Sequence, residues 1–174
     1  MNTNHIKSYA PKARSAFIAA MTKQAAKYGI TAKGSELLEQ KGDLALIGDR
    51  AFPASIIRPR AALVQKVAQL GFAQTMEQAA YSWFNRLCAI RFMELKDYLE
   101  HGRRMLSAAD GSAGTPQILE DSLEVELPGL NKQLITELKL DGNKDEELYR
   151  ELLLAQCHAL HQAMPFLFEA VDDA

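Results

Sequence analysis

From Ala79 to Leu106 the chain reads AAYSWFNRLCAIRFMELKDYLEHGRRML, with no glycine or proline until Gly102. A stretch of that length without a breaker has few alternatives to a helix. It also carries the only tryptophan and four of the twelve Phe and Tyr residues. At about 100° per residue, Ser82, Asn85, Arg86, Lys96, Asp97 and Glu100 share one stripe. Trp83, Phe84, Leu87, Cys88, Ile90, Leu95, Tyr98 and Leu99 cover the remainder. Two charges fall on the apolar side, Arg91 and, three residues on, Glu94. An unpaired interior charge costs several kcal/mol. The spacing therefore predicts a partly buried Arg91–Glu94 ion pair, or an Arg91 that reaches another domain or ligand. His101-Gly102 is expected to end the helix.

At 174 residues, with 48% hydrophobic and 24% charged content, the chain suits one soluble domain with an ample core. The net charge of −2 hides an uneven distribution. Residues 1–105 hold 16 Lys and Arg against 8 Asp and Glu, while residues 106–174 hold 4 against 14. A basic first part fits an anionic partner, or simply a complementary second part. Cys88 and Cys157 both lie in apolar helical patterns and are expected to be buried free thiols of a cytoplasmic protein. The polar opening MNTNHIKSY is no signal peptide. Leu152–Phe168 lacks formal charges but contains Gln156, His158, His161, Gln162 and Pro165, too polar for a membrane span.

Taken in order, residues 2–9 suggest a loose arm and Pro11 the start of a helix running to Tyr28. Its apolar stripe is Ala13, Phe17, Ala20, Met21 and Ala25, and Gly29 stops it. Residues 1–35 contain Lys7, Lys12, Arg14, Lys23, Lys27 and Lys33 and no acidic residue. Such a helix can lie along a phosphate backbone or carry an ordinary solvated lysine face. Residues 36–58 read as a hairpin and loop insertion, with Leu44–Ile47 and Arg50–Phe52 flanking a Gly48-Asp49 turn. Pro53 and Pro59 point to edge or loop geometry after it. Arg60–Leu70 is a short amphipathic helix closed by Gly71, and residues 107–116 read as a mobile Gly/Ala/Ser loop. Residues 118–127 are acidic and unassigned. Asn131 caps a helix to Leu138, and Asp145–Gln162 forms a last helix with an acidic first turn. Pro165 breaks it. Phe166–Phe168 open another apolar piece, and Ala170–Ala174 read as a cut end. The fold class is mainly α: a helical bundle-like domain over 1–174 with at most one short β-hairpin.

Chemistry is scarce. His158 and His161 share a helix face near Cys157, but zinc needs further ligands and only Cys88, His101 and His5 remain, without a Cys-x-x-Cys pair. The carboxylate pairs Glu146-Glu147 and Asp172-Asp173 sit at helix or chain ends. Gly111-Ser112-Ala113-Gly114 lacks the preceding strand and following base of a phosphate loop. No catalytic, cofactor-binding or metal-binding residue emerges. The candidate contacts to DNA or a partner are Lys7, Lys12, Arg14, Lys23 and Lys27.

The block Ala80–Glu94 (AYSWFNRLCAIRFME), followed by His101–Leu106 (HGRRML), resembles the N-terminal region of the PglX family, the adenine-specific DNA methyltransferases of BREX phage-defence systems. Met1–Asn4, Tyr9–Arg14 (YAPKAR) and Asp145–Asp173 are similar too, so the resemblance spans nearly the whole chain. It implies a longer parent that uses S-adenosylmethionine to methylate adenine N6 in host DNA, beside other BREX components. That chemistry needs an Asn/Asp-Pro-Pro-Tyr/Phe motif to hold an extruded base. None of the six prolines here adjoins another or follows Asn or Asp, and no glycine-rich cofactor loop is present. The resemblance thus implies a helical domain that packs on a methyltransferase core and helps to engage double-stranded DNA or a partner. Two rivals stand beside it: a stand-alone helical interaction protein of the same defence system, and a small enzyme assembled from Arg91, Glu94 and the histidines.

Overall fold

The computed structural model describes residues 3–168. The expectations for Ala170–Ala174, including the Asp172-Asp173 pair, lie outside these residues, as does the side chain of His5. Contacts group the chain into two compact units, one ending at Phe84 and the next beginning at Asn85. The mainly α expectation holds, with more β-structure than one hairpin.

The first unit opens with helix α1 (Thr3–Lys27). The segment expected to be a loose arm is helical from Thr3, and Pro11 lies inside the helix rather than at its start. Ala13 and Ala25 are buried and Phe17 and Met21 half-buried, following the i, i+4 rhythm of one face. Phe17 meets Phe84 edge-on at 5.5 Å. Gly29 then turns the chain into β1 (Ile30–Thr31), which pairs antiparallel with β2 (Gly34–Ser35). A meander follows: β3 (Leu38–Lys41), β4 (Leu44–Ile47) and β5 (Arg50–Pro53), in the order β3-β4-β5. Both of its loops are Gly-Asp pairs, with Gly42 and Gly48 at φ 59°. Glycine with positive φ at the first loop position fits the type II′ turn favoured between twisted strands. The sequence reading found the β4–β5 hairpin and missed β3, because LEQK is polar and largely exposed and shows no alternation.

A 3-10 turn (Ala54–Ile56) leads into α2 (Ile57–Leu70). Pro59 sits in its first turn, where a missing N–H costs nothing, and not in a loop as expected. Gly71, at φ 85°, ends α2, its N–H donating to the Val67 carbonyl. Helix α3 (Phe72–Leu95) starts directly after it. Met21, Ala25, Ile30, Leu63, Val64, Val67, Phe72 and Met76 form this unit's core.

Helix α3 stops at Leu95, short of the expected His101-Gly102. Asp97 takes a left-handed φ of 54°, the Tyr98 N–H donates to the Met93 carbonyl, and the Asp97 N–H to that of Glu94. This is a Schellman closure, with Asp where glycine is commoner. The turn sends Leu99 and Met105 inward, at 4% and 0% exposure, and their burial offsets the roughly 1–2 kcal/mol cost of the left-handed residue. An irregular segment follows, containing the Gly/Ala/Ser stretch. Then come α4 (Gln117–Glu120), α5 (Lys132–Asp141) and α6 (Asp145–Ala163). Residues 118–120, unassigned from sequence, belong to α4. Asn131 caps α5 by accepting from the Leu134 N–H at 3.2 Å, and α5 and α4 pack on α6. Ile90, Met105, Ile118, Ile135, Leu148 and Leu152 are its core, all nearly inaccessible. Phe166 is exposed while Phe168 is buried.

Gly29 is the most closely approached glycine of the first unit. Its φ is 69°, and a Cβ there would lie 2.6 Å from the Ile47 Cγ2 and 3.0 Å from the Glu36 Cβ. Gly29→Ala is expected to lose roughly 2–3 kcal/mol in chemical denaturation, from left-handed strain and overpacking together. A loss below about 0.5 kcal/mol would show that the neighbours give way freely.

Candidate functional site

The candidate cations sit on α1, and its winding divides them. At 3.6 residues per turn, Lys12, Lys23 and Lys27 fall within about 60° of one another, while Lys7 and Arg14 lie roughly 140–200° away. The rise of about 1.5 Å per residue spreads the three lysines over roughly 22 Å. All five residues are exposed. Arg14 is engaged: its guanidinium pairs with the Glu77 carboxylate of α3, the Nε donating at 3.2 Å. Among the described residues no carboxylate lies within ion-pair distance of Lys7, Lys12, Lys23 or Lys27.

Two arginines of the first unit act as staples. From β5, Arg50 donates to the carbonyls of Ala26 and Lys27 at 3.0 and 2.8 Å and to the Glu36 carboxylate at 2.8 Å. The last carbonyls of a helix carry partial negative charge and lack intrahelical donors, so a guanidinium there serves as a C-terminal cap. From α2, Arg60 donates to the carbonyls of Tyr28 and Glu36 at 2.8 and 2.6 Å. Partial burial lowers its pKa, against the raising effect of Glu36. No local pattern in the sequence marks either arginine, because their acceptors are backbone carbonyls 23 to 32 residues away.

In the second unit Arg91 and Glu94 are ion-paired within α3. The Glu94 side chain is fully buried, while that of Arg91 keeps 39% exposure. Glu94 also accepts from the Ser107 hydroxyl at 3.1 Å and the Leu106 N–H at 2.8 Å, and Arg91 Nη1 donates to the Ser107 Oγ at 2.8 Å. A nearby cleft of about 250 Å³ is lined by Glu94, Asp97, Leu99, Gly102, Arg103, Arg104, Ala109 and Gln117. It includes neither Arg91 nor any histidine, so it does not assemble the small-enzyme site. His101 accepts at Nδ1 from the Arg103 N–H at 3.0 Å and lies 2.7 Å from the Gln156 Oε1. His161 contacts the Phe168 carbonyl, and His158 is exposed. Among the described residues no group of three or more His, Cys, Asp or Glu is placed to hold a metal.

Two readings from the helical wheel are corrected. Cys88, expected to be buried, is exposed, whereas Cys157 is buried. Arg86, assigned to the polar stripe, is buried at 3% exposure. Burial pushes the Cys157 thiol up to about 11, against a lowering effect of the Arg86 charge.

No family model matches the chain. It is 49% identical over 184 aligned positions to the adenine-specific methyltransferase BrxX of Escherichia coli O9:H4 (strain HS), covering 99% of this chain and 15% of that protein. It is 31% identical over 195 positions to the adenine-specific methyltransferase PglX of Lacticaseibacillus casei (strain Zhang), covering 99% and 16%. The chain corresponds to the N-terminal region of these methyltransferases. It spans about one sixth of the length of the BrxX and PglX relatives it matches. The identity covers both units, so the α1 lysines and the Glu94 network lie within the matched region. Among the described residues no helix is long and apolar enough to cross a membrane.

Two outcomes test this geometry. Arg91→Met is expected to destabilise the chain by about 3 kcal/mol, because it strands a buried carboxylate, and Ser107→Ala by about 1 kcal/mol. Urea titrations compare them, and equal small losses would show that Glu94 does not depend on Arg91. With a thiol reagent at pH 8, Cys88 is expected to react in the folded chain and Cys157 only on unfolding. The raised Cys157 pKa contributes stability fully present below pH 9 and lost as the pH rises toward 11.

Proposed function

We propose that the chain is the N-terminal helical domain of a site-specific adenine-N6 DNA methyltransferase of a BREX phage-defence system. In this reading it supports engagement of DNA and partners from the cytoplasm, while the rest of the protein binds S-adenosylmethionine and transfers the methyl group. The observation that carries it is similarity along 99% of this chain to two adenine-specific methyltransferases several times longer. Supporting it, the chain has no Asn/Asp-Pro-Pro-Tyr/Phe sequence to hold an extruded adenine. Its first 84 residues, with 11 Lys and Arg against 5 Asp and Glu, carry the basic character.

For DNA contact the reading depends on Lys12, Lys23 and Lys27. Each lysine that neutralises a phosphate releases about 0.9 counterion from duplex DNA. A gel-shift titration of the chain on duplex DNA at low salt is therefore expected to show weak binding, with a log–log salt slope near −3. Changing the three lysines to alanine is expected to flatten the slope toward zero. No shift at low salt would sink the DNA role, and an unchanged slope in the variant would place the contact elsewhere.

A further inference from the structure

Helix α3 presents an apolar stripe in the second unit that the described residues leave open. Cys88, Phe92 and Leu95 follow the i, i+4, i+7 spacing of a single helix face. All three are exposed, Phe92 and Leu95 at 55% each. Tyr98, at 60% exposure, extends the stripe past the helix end. The closure at Asp97 returns its ring to within 6.3 Å of Phe92, edge-on at 68°. Isolated exposed apolar side chains need no explanation, but adjacent ones on a locked helix end mark a contact surface.

Charge and length identify the occupant. Between Cys88 and Tyr98 the charges balance, Arg91 and Lys96 against Glu94 and Asp97, so the stripe offers a nucleic acid no net attraction. The methyltransferases similar to this chain continue for several times its length. We propose that the Cys88–Phe92–Leu95–Tyr98 stripe is the docking face for the polypeptide that forms the remainder of such a methyltransferase. The mode is that of an apolar helix face laid into a complementary groove. This rests on the reading above only in taking the chain as part of a longer methyltransferase.

Cys88 reports whether the stripe is covered. The probe is a maleimide, with the modified peptide identified by mass spectrometry. It is applied to the free chain and to a chimera in which this chain replaces the matched segment of E. coli BrxX. Labelling of Cys88 is expected to be fast in the free chain and at least tenfold slower in the chimera. Phe92→Glu with Leu95→Lys is expected to restore the fast rate. Equal rates in free chain and chimera overturn the proposal. So does labelling of the free chain that slows as its concentration rises, because a second copy would then be the occupant. A second arm adds the free chain to BrxX lacking that segment: the native chain is expected to co-elute and the double variant not, and equal behaviour of the two overturns the docking face. Adenine methylation by the chimera is read on the same sample. A chimera that methylates while Cys88 stays open removes the docking face and leaves the methyltransferase reading standing.

Discussion

A fully buried carboxylate governs the second unit. Taking Glu94 out of water would cost several kcal/mol alone, and three donors answer it: the Arg91 guanidinium, the Ser107 hydroxyl and the Leu106 N–H. Two of these lie in the irregular segment after α3, so that segment has one acceptable path back to the helix. The same path brings Leu99 and Met105 inside and makes the left-handed Asp97 tolerable.

The first unit solves a different problem with the same chemistry. Its sheets are too small to stand alone, and α1 ends in carbonyls that need donors. Arg50 and Arg60 meet both needs by tying the α1 terminus to Glu36 and the strands. Gly29 supplies the close approach that permits it. Cations spent on carbonyls contribute less to a field outside the molecule. The engaged Arg14, Arg50 and Arg60 therefore offer a polyanion less than the exposed lysines of α1 do.

The two units thus present surfaces of unlike chemistry. One carries exposed lysines along a helix that meet no carboxylate among the described residues, the face we propose for contact with DNA. The other is acidic overall and exposes aromatic and aliphatic side chains at a helix end. That suits a protein surface, where burial of apolar area drives association.

Periodicity and punctuation made much of the fold legible. The α3 run, the Gly71 stop, the Asn131 cap, the Gly48-Asp49 hairpin and the acidic start of α6 are local signals, and local physics honours them. So is the pairing chemistry of Arg91 and Glu94, since charges on an apolar face demand an answer. What tertiary structure alone decided is non-local. The Leu95 stop depends on Leu99 and Met105 finding a core, β3 on a partner strand rather than its own pattern, and the burial of Arg86 and exposure of Cys88 on which face meets a neighbour. A helical wheel ranks residues by polarity, whereas burial follows from what packs against the helix. That distinction lies in contacts dozens of residues apart, and no window along the chain contains them.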